Sequence, residues 1–408
     1  MVKEIVMKQT EIGMLPHDWE VESIGNLTSK IIGGGTPSRI VKEYWNGKIP
    51  WMTVKDFTSF NPNFTQENIT ELGLKNSATR IVPAGNLIIA TRIALGKIVK
   101  YNVDVTINQD LKTINLFPKI KKDYFIYSYR NIEEKIIEKG SGSTVLGLSV
   151  ADLNSFRIPL PPLPEQEAIA EALSDADAWI ESLEQLIAKK CLIKQGAMQE
   201  LLSPKEDWEV KKLGEVTIDG GLIRGPFGGA LKKEFFVKNG YKVYEQKNAI
   251  YKSVHLGKYF VDTAKFKELG RFEVKTNDFI LSCSGTIGKL FRIPQIFQKG
   301  IINQALLIIR LNSGLIDFGY FGHIFQYDTI QSKIIDDTQG GAMKNLVGMS
   351  EFRNTEIPLP SLTEQIRIAT ILSDMDTELE ALEGQLGKSR KVKQGMMQEL
   401  LTGRTRLI

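Results

Sequence analysis

The chain has 408 residues, 42% of them hydrophobic and 25% charged, and a formal net charge of +4. That is material for two to four ordinary globular domains, and it excludes a disordered or collagenous chain. Two cysteines, Cys191 and Cys283, are too few for a disulfide framework, no apolar run approaches a membrane span, and "MVKEIVMKQTEIG" lacks the apolar centre of a signal peptide, so a reducing cytoplasmic setting is expected.

After "DWEV" at 18–21 the sequence reads as strands and turns. "NLIIATRIALGKIVKY" and "LKTINLF" are short apolar or alternating runs broken by Gly and Asn, and the more helical "KDYFIYSYRNIEEKIIEKG" follows. "IPLPPLPEQ" then supplies a proline-restricted extended approach to a long helix starting near Glu165. Its residues Ile169, Leu173, Ala176, Ile180, Leu183 and Ile187 are spaced alternately four and three apart, the seam of a coiled coil. Continued to Leu202, the helix spans roughly 57 Å, with Gly196 the expected place for a bend or break.

The second half of the chain repeats the first. "DWEV" returns at 207–210, Lys55 and Gly96-Lys97 recur as Lys247 and Gly288-Lys289, and "INQ" at 107–109 recurs at 302–304. "DFILSCSGTIGKLFRI" and "ALLIIRL" are again strand signals, and "LIDFGYFGHIFQYDTIQSKIIDD" is again helical. Residues 357–402 repeat 158–203 without a gap, with 25 of the 46 positions identical and a second seam of Ile368, Leu372, Met375, Leu379, Leu382 and Leu386; Gly395 repeats Gly196. The expected fold is α+β: two tandem strand-rich globular heads separated by two long helices that pair as an antiparallel, pseudo-twofold coiled coil, a two-headed rod. The expected boundaries are 1–157 and 204–356 for the heads, 158–203 for the first helix, and 357–408 for the second helix with its tail. Charge is unevenly divided, with 17 basic against 11 acidic residues at 21–150 and 20 against 13 at 209–345, while the helices are acidic, with 3 basic against 8 acidic at 158–202 and 5 against 7 at 357–402. Basic heads on an acidic spacer suit a polyanion.

"GGGTPSRIVKEYWNGKIPWMTVKDF" at 33–57, followed by "RIVPAGNLIIATR", "TINQDL" and "IPLPPLPEQEAIAEAL", resembles the target recognition domain and helical region of specificity subunits of type I restriction-modification enzymes. The resemblance covers both halves of the chain. In the second head, "IDGGLIRGPFGGALKKEFF" and "YKVYEQKNAIY" depart from the pattern, which in such a family implies a different half-site. The resemblance implies a non-catalytic, cytoplasmic protein that binds a bipartite double-stranded DNA target, one half-site per head. Its partners would be two methyltransferase subunits, docked on the helices, and endonuclease/translocase subunits. S-adenosylmethionine and ATP would sit on those partners and no cofactor on this chain. A related methylation system outside type I, or a two-headed scaffold without DNA, are the alternatives.

The residues agree that an active site is missing. "NPNF" at 61–64 lacks the second proline of an amino-methyltransferase motif and reads as a turn; "GSGSTVLG" at 140–147 and "SGTIGKL" at 284–290 lack phosphate-loop spacing; His17, His255 and His323 lack metal-ligand spacing. The residue types that contact phosphates and base edges cluster in the first head at Gly34, Gly35, Thr36, Pro37, Ser38, Arg39, Lys55, Asp56, Thr91 and Arg92. In the second head Arg224, Gln246, Lys247, Asn248, Ser284 and Lys289 occupy comparable places. For each, a turn or surface role is the competing expectation: Gly33 to Gly35 and Gly228-Gly229 suit tight turns, and "INQ" suits a buried polar link.

Overall fold

The computed structural model describes residues 6–141, 147–227, 229–336 and 345–407. Gly228 and most of "GSGSTVLG" lie outside them. The chain divides into two compact units, 1–184 with 384–408 and 185–383, so that each unit takes one head and a part of both long helices.

In the first unit the strands Thr28–Gly33, Leu111–Leu116, Leu87–Ala90 and Ile98–Lys100 form one antiparallel sheet in that order. A second sheet runs Glu67–Ile69, Trp45–Met52, Val105–Ile107, Ile81–Val82, with a parallel pair at its centre. The unbroken run "LIIA" is buried on both faces. Leu87 and Ile89 join Ile98, Ile114, Tyr124 and Phe125 in a core beneath the helices, whereas Ile88 and Ala90 join Met52, Val82, Val105 and Ile107 between the sheets. Alternation with period two thus places one sheet between two apolar layers.

The second unit repeats the plan. Thr217–Arg224, Leu306–Leu311, Phe279–Ser282 and Leu290–Arg292 form the first sheet, and Phe260–Val261, Tyr241–Tyr244 and Gly300–Ile302 the second. Phe279, Leu281, Leu307 and Ile309 face the helical layer, while Ile280 and Ile308 face Tyr244 and Ile302.

Each repeated motif has a structural task. The strand after "DW" pairs antiparallel with the "IPL" strand of its own head, Glu20–Ser23 with Arg157–Leu160 and Glu209–Lys212 with Glu356–Leu359. The Gln of "EQ" is buried in both copies. Gln166 accepts from the Lys121 amide at 2.8 Å and donates to the Pro161 carbonyl at 2.8 Å; Gln365 does the same with Asp317 and Pro360, at 2.8 Å each. Tyr124 and Tyr320 donate to the Pro159 and Pro358 carbonyls at 3.0 and 2.8 Å. These bonds lock the start of each long helix to its head.

The long helices span Leu163–Leu202 and Leu362–Leu400, each beginning two residues before the expected Glu. Both run through Gly196 and Gly395 without a break, contrary to the expectation from sequence. One interior glycine costs only about 1 kcal/mol relative to alanine, too little to interrupt a helix held along its length. Within each unit the two helices pair antiparallel. In the first, Asp177 meets Lys393, Glu184 meets Arg390 at 2.6 Å, and Trp179 Nε1 donates to Ser389 Oγ at 3.2 Å. In the second, Asp376 meets Lys194 and Glu378 meets Lys190 at 2.7 Å. Ile169 and Leu173, like Ile368 and Leu372, are fully buried in the core of their head. Leu183 is buried, and Ala176, Ile180, Ile187, Met375, Leu379, Leu382 and Leu386 are half-buried.

Candidate nucleic-acid interface

Four loops of the first head converge at one end of its two sheets, and backbone bonds tie them together. The Gly35 amide donates to the Ile107 carbonyl at 2.9 Å, the Asn108 amide to the Met52 carbonyl at 3.0 Å, and the Thr91 amide to the Asp110 carbonyl at 2.9 Å. A side chain on Gly34 would stand 2.0 Å from the Ile107 oxygen, so only glycine permits this approach. At the hub Asn108 is buried, its Oδ1 accepting from the Asp110 amide at 3.1 Å and its Nδ2 donating to the Asp110 carboxylate at 3.0 Å. For this asparagine the buried polar link is what the structure contains.

Several candidate residues belong to this frame rather than to its outer face. Asp56 is buried, and its carboxylate accepts from the Thr53 and Gln66 amides, both at 2.8 Å, closing a capping box. Thr91 is buried too, with Oγ1 donating to the Asp110 carbonyl at 3.1 Å. Gly35 is buried and accepts from Trp51 Nε1 at 3.1 Å. The residues left outside are Thr36, Ser38, Arg39, Lys55 and Arg92. The Thr36 hydroxyl donates to the Gln109 carboxamide oxygen. Arg39 lies 3.7 Å from the centre of the Trp45 ring and pairs with Glu67 at 2.6 Å, which fixes its guanidinium plane. Lys55 and Arg92 are exposed and make no ion pair with a described residue.

The second head rebuilds the frame with other side chains. Gly225 takes the place of Gly34, where a Cβ would stand 1.9 Å from the Asn303 oxygen. The Asn303 amide donates to the Tyr244 carbonyl at 2.9 Å, and its Oδ1 accepts from the Ala305 amide at 3.1 Å. Asn248 replaces Asp56: fully buried, it accepts from the Glu245 amide at 2.8 Å and donates to the Ser253 and Leu256 carbonyls at 2.8 and 2.7 Å. Gln246 donates to the carbonyls of Ser284 and, at 3.1 Å, Thr286, joining two loops, while Lys247 pairs with Glu245 at 3.0 Å. Ser284 and Lys289 are exposed, Arg224 is half-buried, and Lys289 and Arg224 make no ion pair with a described residue. Burial pushes the thiol of Cys283 beside them up to about 12, which leaves it protonated and unreactive.

Sequence reasoning passed over Trp45, which carries Arg39, and the exposed pair Gln109 and Gln304; the recurrence of "INQ" was the signal for the latter. Among the described residues no helix is long and apolar enough to cross a membrane, and no group of three or more His, Cys, Asp or Glu could hold a metal ion.

Comparison with known proteins identifies the family and the fold. The family model described as type I restriction modification DNA specificity domain matches twice, at residues 16–189 and 205–388. The MjaVIII specificity subunit of Methanocaldococcus jannaschii is 26% identical over 442 aligned positions, covering 99% of this chain and 97% of that protein. The MjaIX specificity subunit of the same organism is 34% identical over 186 residues, 44% of this chain and 42% of its own. Among solved structures, the S subunit of a type I restriction-modification system from M. genitalium superposes with a TM-score of 0.60 at 16% identity, covering 94% of this chain and 96% of that one.

Proposed function

We propose, starting from the fact that this chain belongs to the type I restriction-modification DNA specificity family, that its heads read the two halves of one bipartite double-stranded DNA target. A specificity subunit supplies DNA target recognition and is the non-catalytic component of its enzyme. In our reading residues 1–157 and 204–356 are the two recognition domains. Thr36, Ser38, Arg39, Lys55, Arg92 and Gln109 contact one half-site, and Arg224, Gln246, Lys247, Ser284, Lys289 and Gln304 the other. Gly34, Gly35, Asp56, Thr91 and Asn248 act from behind as supports.

The observation that carries this reading is one loop frame holding two different outer faces. Asp56 and Asn248 close equivalent loops from the inside, so their neighbours can change without disturbing the backbone. The helices, 40 and 39 residues long, span about 60 Å at the α-helical rise and exceed one DNA turn of about 34 Å, which suits a spacer that fixes the gap between half-sites. Their matching surfaces suit two identical methyltransferase subunits, and endonuclease/translocase subunits would complete the complex in the cytoplasm. S-adenosylmethionine and ATP belong to those partners.

The test replaces residues 21–150 with the first head of another specificity subunit and maps methylated bases genome-wide in cells that also express the methyltransferase. One half of the methylated site should change while the other half and the gap persist. A change in both halves refutes the assignment of one head to one half-site.

A further inference from the structure

We propose that Ile93 is an apolar base probe of the first head, its side chain meeting the 5-methyl group of a thymine in the major groove of that head's half-site. The proposal rests on the DNA reading above. Ile93 has φ +61° and is 82% exposed. Of the described non-glycine residues with positive φ, which are Asn46, Ile93, Lys252 and Asn277, it alone is β-branched. Left-handed backbone strains such a side chain, and so little burial cannot offset the strain.

The loop itself dictates that backbone. In the second head the corresponding residues are 283–289; Gly285 has φ +62° where Ile93 has +61°, and Gly288 has +80° where Gly96 has +81°. Both loops hang from the same bonds: the Thr91 amide donates to the Asp110 carbonyl at 2.9 Å and the Cys283 amide to the Ala305 carbonyl at 2.9 Å. The second head thus meets the requirement with glycine, and the first meets it with isoleucine, which joins no core cluster of the described residues. Ala94 and Leu95, the next two residues, are the side chains this loop packs against the two apolar layers.

An exposed aliphatic group beside Arg92, which makes no ion pair with a described residue, on the loop joined to Asn108 and Asp110, has no hydrogen bond to offer. On the edge of a base pair its complement is the methyl group of thymine. Arg92 would hold the adjoining phosphate or guanine while Ile93 tests for the methyl.

The experiment uses the full chain co-purified with its methyltransferase subunits and a duplex carrying the site mapped from methylated bases. Each thymine of the first half-site, on either strand, is replaced in turn by deoxyuridine, which removes only the methyl group. One replacement should weaken binding by the wild type about fivefold or more. Ile93→Asn, whose side chain tolerates the left-handed region, should melt no lower than wild type, bind the thymine duplex as weakly as wild type binds the uracil duplex, and be indifferent to that replacement. The inference is overturned if Ile93→Asn binds as wild type does, if it still responds to every replacement as wild type does, or if the half-site contains no thymine. A wild-type complex that does not prefer the mapped site over a scrambled duplex overturns the DNA reading as well.

Discussion

Removing the guanidinium of Arg406 is expected to destabilise the first unit far more than removing its nearest analogue does in the second. Glu165 is fully buried in the first turn of its helix, where Arg406 donates to it at 2.7 Å and Trp19 Nε1 at 2.9 Å. The same guanidinium reaches Asp18 at 2.8 and 2.9 Å and is itself only 13% exposed. These bonds raise the pKa of Arg406, that to Glu165 most, and hold Asp18 below the usual carboxylate range. In Arg406→Ala, Glu165 keeps one neutral donor and the helix amino terminus. Stranding a buried charge costs about 3–5 kcal/mol, and the helix dipole recovers about 1 of it, leaving about 3. For a unit of 209 residues, 184 plus 25, that lowers the melting midpoint by about 6–12 °C. Glu364, the counterpart of Glu165, pairs with Arg367 on its own helix, and that guanidinium is half exposed. Arg367→Ala should therefore leave the midpoint where it was. The assay is calorimetry of the full chain, with hydrogen exchange at Trp19 identifying the transition that moves. Adding Glu165→Gln to Arg406→Ala should recover most of the loss, since the stranded charge is gone. A midpoint for Arg406→Ala within about 2 °C of wild type would refute the reasoning.

His323 tests the second unit through pH. Burial depresses its pKa most, Lys194 and Lys252 act in the same direction, and Asp376 and Asp317 oppose them, while Nε2 lies 3.2 Å from Ser373 Oγ. The unfolded chain therefore takes up the proton first as pH falls below about 6.5. Stability from this group is full above that pH and is lost toward the lower folded value, so the midpoint of the second unit should drop between pH 7.5 and 5.5. His323→Tyr should flatten that drop, because Tyr127, the counterpart in the first unit, donates to Asp177 at 2.9 Å without charging. Within the loop frame, Asp56→Ala should cost about 2 kcal/mol in chemical denaturation by leaving the Thr53 and Gln66 amides without their acceptor. The adjacent Lys55→Ala should leave stability unchanged, weaken DNA binding and flatten its salt dependence.

The duplication, the strand-rich heads and the paired helices were legible because each is a pattern along the chain. What the patterns left out lies across it. The identity of Gln166 and Gln365 was visible, but their partners at 119–121 and 315–317 are brought to them only by folding. Thr53 and Asp56 stand at capping-box spacing, a signal for burial that a reading of surface polarity overlooks. Glu245 and Asn248 form the same box with residue types that announce it less. The backbone of Ile93 could be inferred only from its alignment with Gly285, since isoleucine by itself argues against positive φ.

Two heads can diverge on one chassis because the side chains that fix the loops are not those that face outward. Thr36, Lys55 and Arg92 stand on backbone held by Ile107, Asp56 and Asp110, so changing them removes no buried bond. Exposed substitutions of that kind usually alter stability by less than about 0.5 kcal/mol. The helix residues that also bind a head have less freedom. Asp177 answers both Tyr127 and Lys393, and Asp376 contacts Lys194 beside His323, so one acidic residue serves head and partner helix together. A change there must satisfy two elements at once. Divergent loops and matching helices thus follow from one division of labour, in which the outward-facing loop side chains sit where substitution costs least and the side chains that join head to helix where it costs most.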